Sequence, residues 1–590
     1  MALSLTRRSM IGLAGGAALA AVLGLTGCDG AKDDGTDGLS AGAELQNGSP
    51  ASASLDQLPL PEQGKLYNNP LGRDQIRDGG DLVLPLSELG PNWNYFSVGG
   101  NSTYMKALWA NYMPINLFLV SADASSFTPN PAYLSDYREE MVDGKEVCTL
   151  TFRDEATFND GTPMDYRAIK AVWDVMGGKD PAYEPSATDG YANIESVSPG
   201  ATDKVAVVTF AAPYYPAQNI LGQALHPAAV DPEVFANGWE GEPHVEWGAG
   251  PFIVDSLVEG QVVFKRNPSW WGDAPKLDSI TYIQMDDLQE IDAFKKGEID
   301  ATSEGVGSME SLSNFQGLRD VEIRRGFGTS TRVFELNVNS QVMQDDAVRK
   351  AFWQCINAPT IVSIVYEGVN WKEETCGSFL INPWMSGYED NRPDYISGNT
   401  TQDAQIAAAR KTLEDAGYEL GGDGIFAKDD LRASFGLLFF GDSNTSKNIV
   451  TAVQKMARGA GMEVHTDNRS SAQFSDELDS GAWDVAMFAW GASPASYNDG
   501  VQIFGSGSGS NYTHAGSEEL DQRFSEIVGM SDHSERMAAF NEAEREVLKT
   551  NAFIPIYNGA SVVCTKKGLA NYGPALLATV LPEDIGWAKE

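Results

Sequence analysis

The chain has 590 residues, room for about three to five structural units, so it can build large cores without disulfide staples. Hydrophobic residues at 42% and charged residues at 21% lie near the globular average and exclude wholesale disorder, collagen-like repetition and coiled coil. With 82 acidic against 42 basic residues the net charge is −40; a phosphate backbone needs clustered Lys and Arg, so nucleic acid is excluded as a partner.

Arg7 and Arg8 precede an apolar run of mostly small residues from Met10 to Leu25, which ends in Leu25-Thr26-Gly27-Cys28. A basic start, an apolar stretch and small residues before a cut predict a secretion signal over residues 1–27. The paired arginines suit the twin-arginine export route as well as the Sec route. Leu-Thr-Gly-Cys resembles the bacterial lipobox, which implies that Cys28 is acylated and becomes the membrane anchor. An uncleaved membrane helix is the alternative, because about 18 apolar residues reach the lower limit for spanning. Residues 28–65 have few large apolar side chains and read as a flexible tether. Loss of residues 1–27 removes two arginines and takes the charge from −40 to −42. A body this acidic is repelled by anionic lipid, so acyl chains rather than a basic patch would hold it at the extracytoplasmic face.

Strands and helices alternate through the body. Cys148–Arg153, Lys204–Phe210, Gln261–Arg266 and Arg332–Val338 have strand length with β-branched or aromatic enrichment. Thr162-Pro163-Met164-Asp165 predicts a capped helix start, after which Ile169, Val172, Trp173 and Met176 share one face. Thr400-Thr401-Gln402-Asp403 repeats that start, with Ile406, Ala409 and Leu413 on one face and Gly417 at the C-terminus. Val348, Ala351, Phe352 and Ile356 form a third stripe, and Met537, Phe540, Ala543 and Val547 a fourth. The mixture indicates α/β architecture. Asp484–Trp490 is apolar on both faces, as a parallel strand covered on both sides would be, and runs into Gly491-Ala-Ser-Pro494. Ligands of open α/β sheets bind at the carboxyl ends of strands, which makes Trp490 and the loop after it a candidate binding wall; the competing reading is a packed core tryptophan.

Reactive constellations are scarce. His226, His244, His465, His514 and His533 show no zinc spacing, so no metal site is expected. Gly38-Leu-Ser-Ala-Gly42 has a nucleophile-elbow pattern but lies in the expected tether, without the strand and helix that such an elbow needs. Asp33–Asp37 lacks calcium-loop spacing, and phosphate-loop and dinucleotide fingerprints are absent, so no cofactor is expected. Cys148, Cys355, Cys376 and Cys564 in an oxidising compartment allow up to two disulfides in three pairings, of which Cys355 with Cys376 is the local one.

Several segments in order are similar to the large solute-binding proteins of ABC importers, the peptide and nickel type known as family 5 or cluster C. They are Leu150–Pro163, Gly248–Phe252, Phe264–Trp271, Ala293–Asp300, Glu335–Asn337, Asp346–Phe352, Ala408–Tyr418, Arg536–Arg545 and Ile554–Tyr557. The resemblance implies an α/β, two-lobed periplasmic-binding-protein-like fold of type II with an extra subdomain in lobe I. Lobe I would combine residues 66–330 and 556–590, with the inserted subdomain near 120–247, and lobe II would be 331–555. Hinge segments are implied near Gly328–Arg332 and Pro555–Asn558. The implied activity is capture without bond breaking: a monomer closes on a solute and delivers it to an ABC permease.

Peptide-binding relatives anchor the ligand's amino terminus with an Asp shortly after the tryptophan that corresponds to Trp490. Here that position holds Ser493, and the nearest acid is Asp499. Trp93, Tyr95 and Phe96 fall in the early loop that borders the cleft in the family, while Tyr512 and Tyr557 fall near the other wall or hinge. The resemblance singles out Tyr95, Gly328, Thr329, Trp490, Ser493 and Tyr557 as ligand-binding residues. Peptide is the expected solute, with an oligosaccharide or another organic solute as the alternative. A secreted lipoprotein hydrolase and a surface sensor are the competing classes.

Overall fold

The computed structural model describes residues 48–303, 309–374, 376–398, 401–441 and 443–589. The expected signal, Cys28, Thr400 and the first part of the tether lie outside the described residues. The described chain divides into two compact units, one formed by Thr329–Gly559 and the other by residues 48–328 together with Ala560–Glu590. The chain therefore enters the first unit at Gly328–Thr329 and leaves it at Gly559–Ala560.

Within Thr329–Gly559 a five-stranded mixed sheet runs in the order Glu463–Arg469, Ser434–Phe440, Val485–Gly491, Ser330–Leu336, Phe553–Tyr557. The first three strands are mutually parallel and the last two pair antiparallel with their neighbours. Val485–Gly491 thus has a parallel partner on one edge and an antiparallel one on the other. Its apolar run is explained by burial, since Val485 through Phe488 are all covered. The predicted helices form as Asp346–Cys355, Gln402–Asp415 and His533–Leu548, and the stripe Met537, Phe540, Ala543, Val547 is buried throughout.

The other unit holds two four-stranded sheets. One pairs Asp81–Leu86 in parallel with Ser279–Gln284 and continues through Gln261–Arg266 to Phe252–Val258. The second is antiparallel, ordered Leu134–Val142, Lys145–Phe152, Val205–Phe210, Ile194–Pro199. Strand Lys145–Phe152 alternates half-buried and buried along its length, so Glu146, Cys148, Leu150 and Phe152 share the core face.

Three local expectations need correction. The first helix of the second sheet starts at Tyr166, capped by Asp165, whose Oδ1 accepts the Arg167 amide at 2.9 Å. Thr162 instead closes the preceding turn: its amide donates to Asp160 Oδ1 at 2.8 Å, and Gly161 at φ +89° supplies the left-handed residue. The tether is shorter than residues 28–65, because Ser49–Pro50 pairs with the strand Val321–Phe327 and Leu55 and Leu58 are buried. Arg325 holds that arm through its guanidinium, which donates to Leu58 O at 3.2 Å and Pro59 O at 2.5 Å. Finally, Cys148, Cys355, Cys376 and Cys564 are free and buried. Cys355 and Cys376 donate instead to the carbonyls of Phe352 and Ser378. Among the described residues, no helix is long and apolar enough to cross a membrane.

Candidate functional site

The carboxyl end of Val485–Gly491 is built against the start of Ser330–Leu336. Register pairs Thr331 with Trp490 and Ser330 with Gly491, and the Ala492 amide donates to Thr329 O at 2.7 Å. Thr329, Trp490 and the loop that follows are therefore one local structure. Trp490 is 6% exposed; its ring stacks on Tyr512 at 6.2 Å and 18°, and Phe488 meets both edge-on. The indole N–H donates to Glu335 Oε1 at 2.8 Å.

Beyond Gly491 the chain turns on itself. The Ser493 amide donates to Ser496 Oγ at 2.8 Å, and the Ser493 hydroxyl donates to Asp499 Oδ2 at 2.9 Å. The acid six residues along is thus folded back onto the serine. Tyr497, in the same loop, lies under the Arg536 guanidinium, 4.8 Å from its ring centroid.

Tyr557 belongs to the next strand, opposite Arg332, and residues opposed in register share a face. Arg332 alternates with Thr331, so Tyr557 and Trp490 point to opposite faces of the sheet. Tyr557 is 7% exposed. Gly328, the last residue before the chain enters this unit, is buried.

Tyr95 belongs to the other unit, half-buried against Phe96 and Trp109. Trp93 and Phe96, expected to border the cleft, are core residues instead. Both are 1% exposed, and they pack edge-on against Tyr112 and Trp109.

Two acids escaped the sequence reading. Glu335 lies between Phe334 and Leu336 in the strand Ser330–Leu336, fully buried, and burial pushes its carboxyl up to about 8. Glu373 accepts from the Trp371 indole at 2.9 Å, the Asn558 amide at 2.9 Å and the Gly559 amide at 2.7 Å. Burial raises its carboxyl too, against these three donors. An acid set between Phe334 and Leu336 in the expected strand was the available signal for Glu335; Glu373 sits in a loop and left none.

For metal ions, Glu139, Glu146 and Cys148 bring potential ligand atoms within 4.8 Å of one another. These groups already have protein partners: the Tyr137 hydroxyl donates to Glu139 Oε2 at 2.9 Å and lies 3.3 Å from Cys148 Sγ, and Glu146 Oε2 accepts the Tyr214 amide at 2.7 Å. Burial also keeps the thiol protonated, which disfavours coordination.

The profile of the bacterial extracellular solute-binding proteins, family 5, middle region, matches residues 128–512. The oligopeptide-binding protein OppA of Mycobacterium tuberculosis (strain ATCC 25618 / H37Rv) is 29% identical over 522 residues, covering 87% of this chain and 86% of its own. Among solved structures, the periplasmic EDTA-binding protein EppA superposes with a TM-score of 0.81 at 21% identity, covering 90% of this chain and all 100% of that one. The oligopeptide-binding protein AppA from Bacillus subtilis, solved with a nonapeptide, gives 0.70 at 16% identity over 87% of this chain and 100% of its own. The fold is accordingly the two-lobed, type II periplasmic-binding-protein class. The chain belongs to the bacterial extracellular solute-binding proteins, family 5. It is a transport binding protein of ABC importers and not an enzyme.

Proposed function

We propose that this protein captures peptides outside the cytoplasmic membrane and hands them to an ABC permease, held at the membrane by acylated Cys28. The observation that carries the peptide reading is the bond from Ser493 to Asp499. It puts a carboxylate beside the residue at the position where peptide-binding relatives have their amine-anchoring acid. A carboxylate recognises an ammonium by charge-assisted hydrogen bonds, roughly twice as strong as neutral ones. Trp490 and Tyr512, stacked on one another, form the aromatic wall of this reading, suited to side chains of varied shape. The similarity to an oligopeptide-binding protein over 87% of the chain supports the same solute class.

Native mass spectrometry of the mature protein expressed in rich medium tests this directly. Bound masses that fragment as peptides are expected. Retained glycans or metal chelates with no peptide would overturn the reading, and turnover of an added peptide pool would replace a receptor with a hydrolase.

A further inference from the structure

Thr331, Val333 and Glu335 face the same side of the sheet as their partners Trp490, Phe488 and Ala486. On that face Glu335 is fully buried. Its Oε1 takes the Trp490 indole N–H at 2.8 Å, and its Oε2 has no protein hydrogen-bond partner among the described residues. We infer that Glu335 is the positioning residue of this site: its buried carboxyl sets the plane of the Trp490 indole against Tyr512, and through that plane the affinity for solute. The inference rests on the peptide reading for its affinity arm alone.

The chemistry favours a neutral acid at this point. Trp490 offers one donor and no charge, and no cation compensates Glu335 among the described residues. The other edge of the strand brings Phe553 opposite Glu335. Arg332 and Tyr557 lie on the opposite face. The covering segment brings Tyr512, whose phenol is itself pushed up by burial, with Asp479 and Glu335 adding to the rise. A neutral carboxyl satisfies the indole through its carbonyl oxygen, and its own O–H can be met by one enclosed water. Loss of the proton leaves a buried charge that the indole N–H alone meets, too little to offset its desolvation, so the side chain hydrates or rotates and the indole shifts with it. Burial places that event near pH 8.

The test uses the mature protein labelled at its indole nitrogens, with the Trp490 resonance assigned by Trp490→Phe, and a random tripeptide pool as the binding probe. The Trp490 N–H signal is expected to titrate with a midpoint near pH 8 in the absence of peptide. Retention of the pool is expected to fall above that point, by up to about tenfold per pH unit. Glu335→Gln keeps an acceptor for the indole and should bind at pH 7 like wild type, with both pH dependences flattened. Glu335→Leu removes the acceptor and should bind about tenfold more weakly at pH 7. An indole signal indifferent to Glu335→Gln and to pH overturns the inference, as does full affinity in a folded Glu335→Leu. If wild type retains no peptide at any pH, the peptide reading falls, and the ligand-free indole titration still decides whether Glu335 governs Trp490.

Discussion

The Asn558 side-chain amide donates to Thr331 Oγ1 at 3.0 Å, so the segment by which the chain leaves the Thr329–Gly559 unit is tied to the one by which it enters. Glu373 fixes the same segment from a loop, accepting the backbone amides of Asn558 and Gly559. Gly559 is required there: its φ is +82°, and a Cβ would stand 2.7 Å from the Tyr366 hydroxyl.

Glu373→Ala strands three part-buried donors, each worth about 1 kcal/mol when left unmet. A loss of about 3 kcal/mol in unfolding free energy is expected. Hydrogen exchange should show lost protection at Asn558 and Gly559 with Gly491 unchanged. Wild-type exchange at Asn558 and Gly559 would show that the clamp does not hold that segment.

Asp499→Asn removes the charge that would face a peptide ammonium and should weaken binding of the tripeptide pool by about 10- to 100-fold, the range for a charge-assisted contact. Acetylating the peptides' amino termini should erase the difference between wild type and variant, as calorimetry would show. Equal sensitivity to Asp499→Asn with acetylated peptides would assign the residue to loop structure instead.

Among the buried acids that burial raises, Glu146 is pushed up to about 7 and Glu335 and Glu583 to about 8. An acid whose folded value exceeds its unfolded one holds its proton in the native state after the unfolded chain has lost it. Its contribution to stability is complete below the ordinary carboxyl range, near pH 4.3, and declines until the folded value is reached. Scanning calorimetry should therefore find the protein more stable at pH 5.5 than at pH 8, each group contributing at most about 1.4 kcal/mol per pH unit. Glu335→Gln and Glu583→Gln should each flatten the slope. A melting temperature that rises from pH 5.5 to 8 contradicts the assignment.

The four body cysteines are free thiols, and burial raises all four. Alkylation without reductant should leave the folded protein unmodified and add four adducts after denaturation. Two adducts would reveal a disulfide.

Cys28→Ala should move the protein from the membrane fraction to the medium or periplasm, with its solute binding unchanged. Continued membrane association would overturn the lipid anchor.

Much of the fold was readable because it depends on neighbours in the chain. Alternation along Lys145–Phe152 and the 3.6-residue stripe from Met537 to Val547 are local periodicities that the core enforces wherever the element lies. The turn at Gly161 follows from one residue's backbone freedom. Helix starts were less secure: Thr162 and Asp165 both offer a capping oxygen, and the 157–163 hairpin took Thr162 for its own turn.

The sequence by itself determined the family, since its motifs occur in order along nearly the whole body, and the class of activity followed. Tertiary structure alone decided which side chains meet. Glu335 and Trp490 are 155 residues apart and come together through strand register. Asp499 reaches Ser493 because the loop folds back. The four body cysteines are each buried and free, which their spacing in the chain does not reveal. Register and burial depend on the whole core, so a carboxyl's pKa, a thiol's partner and a tryptophan's wall are not encoded in any short stretch of the chain.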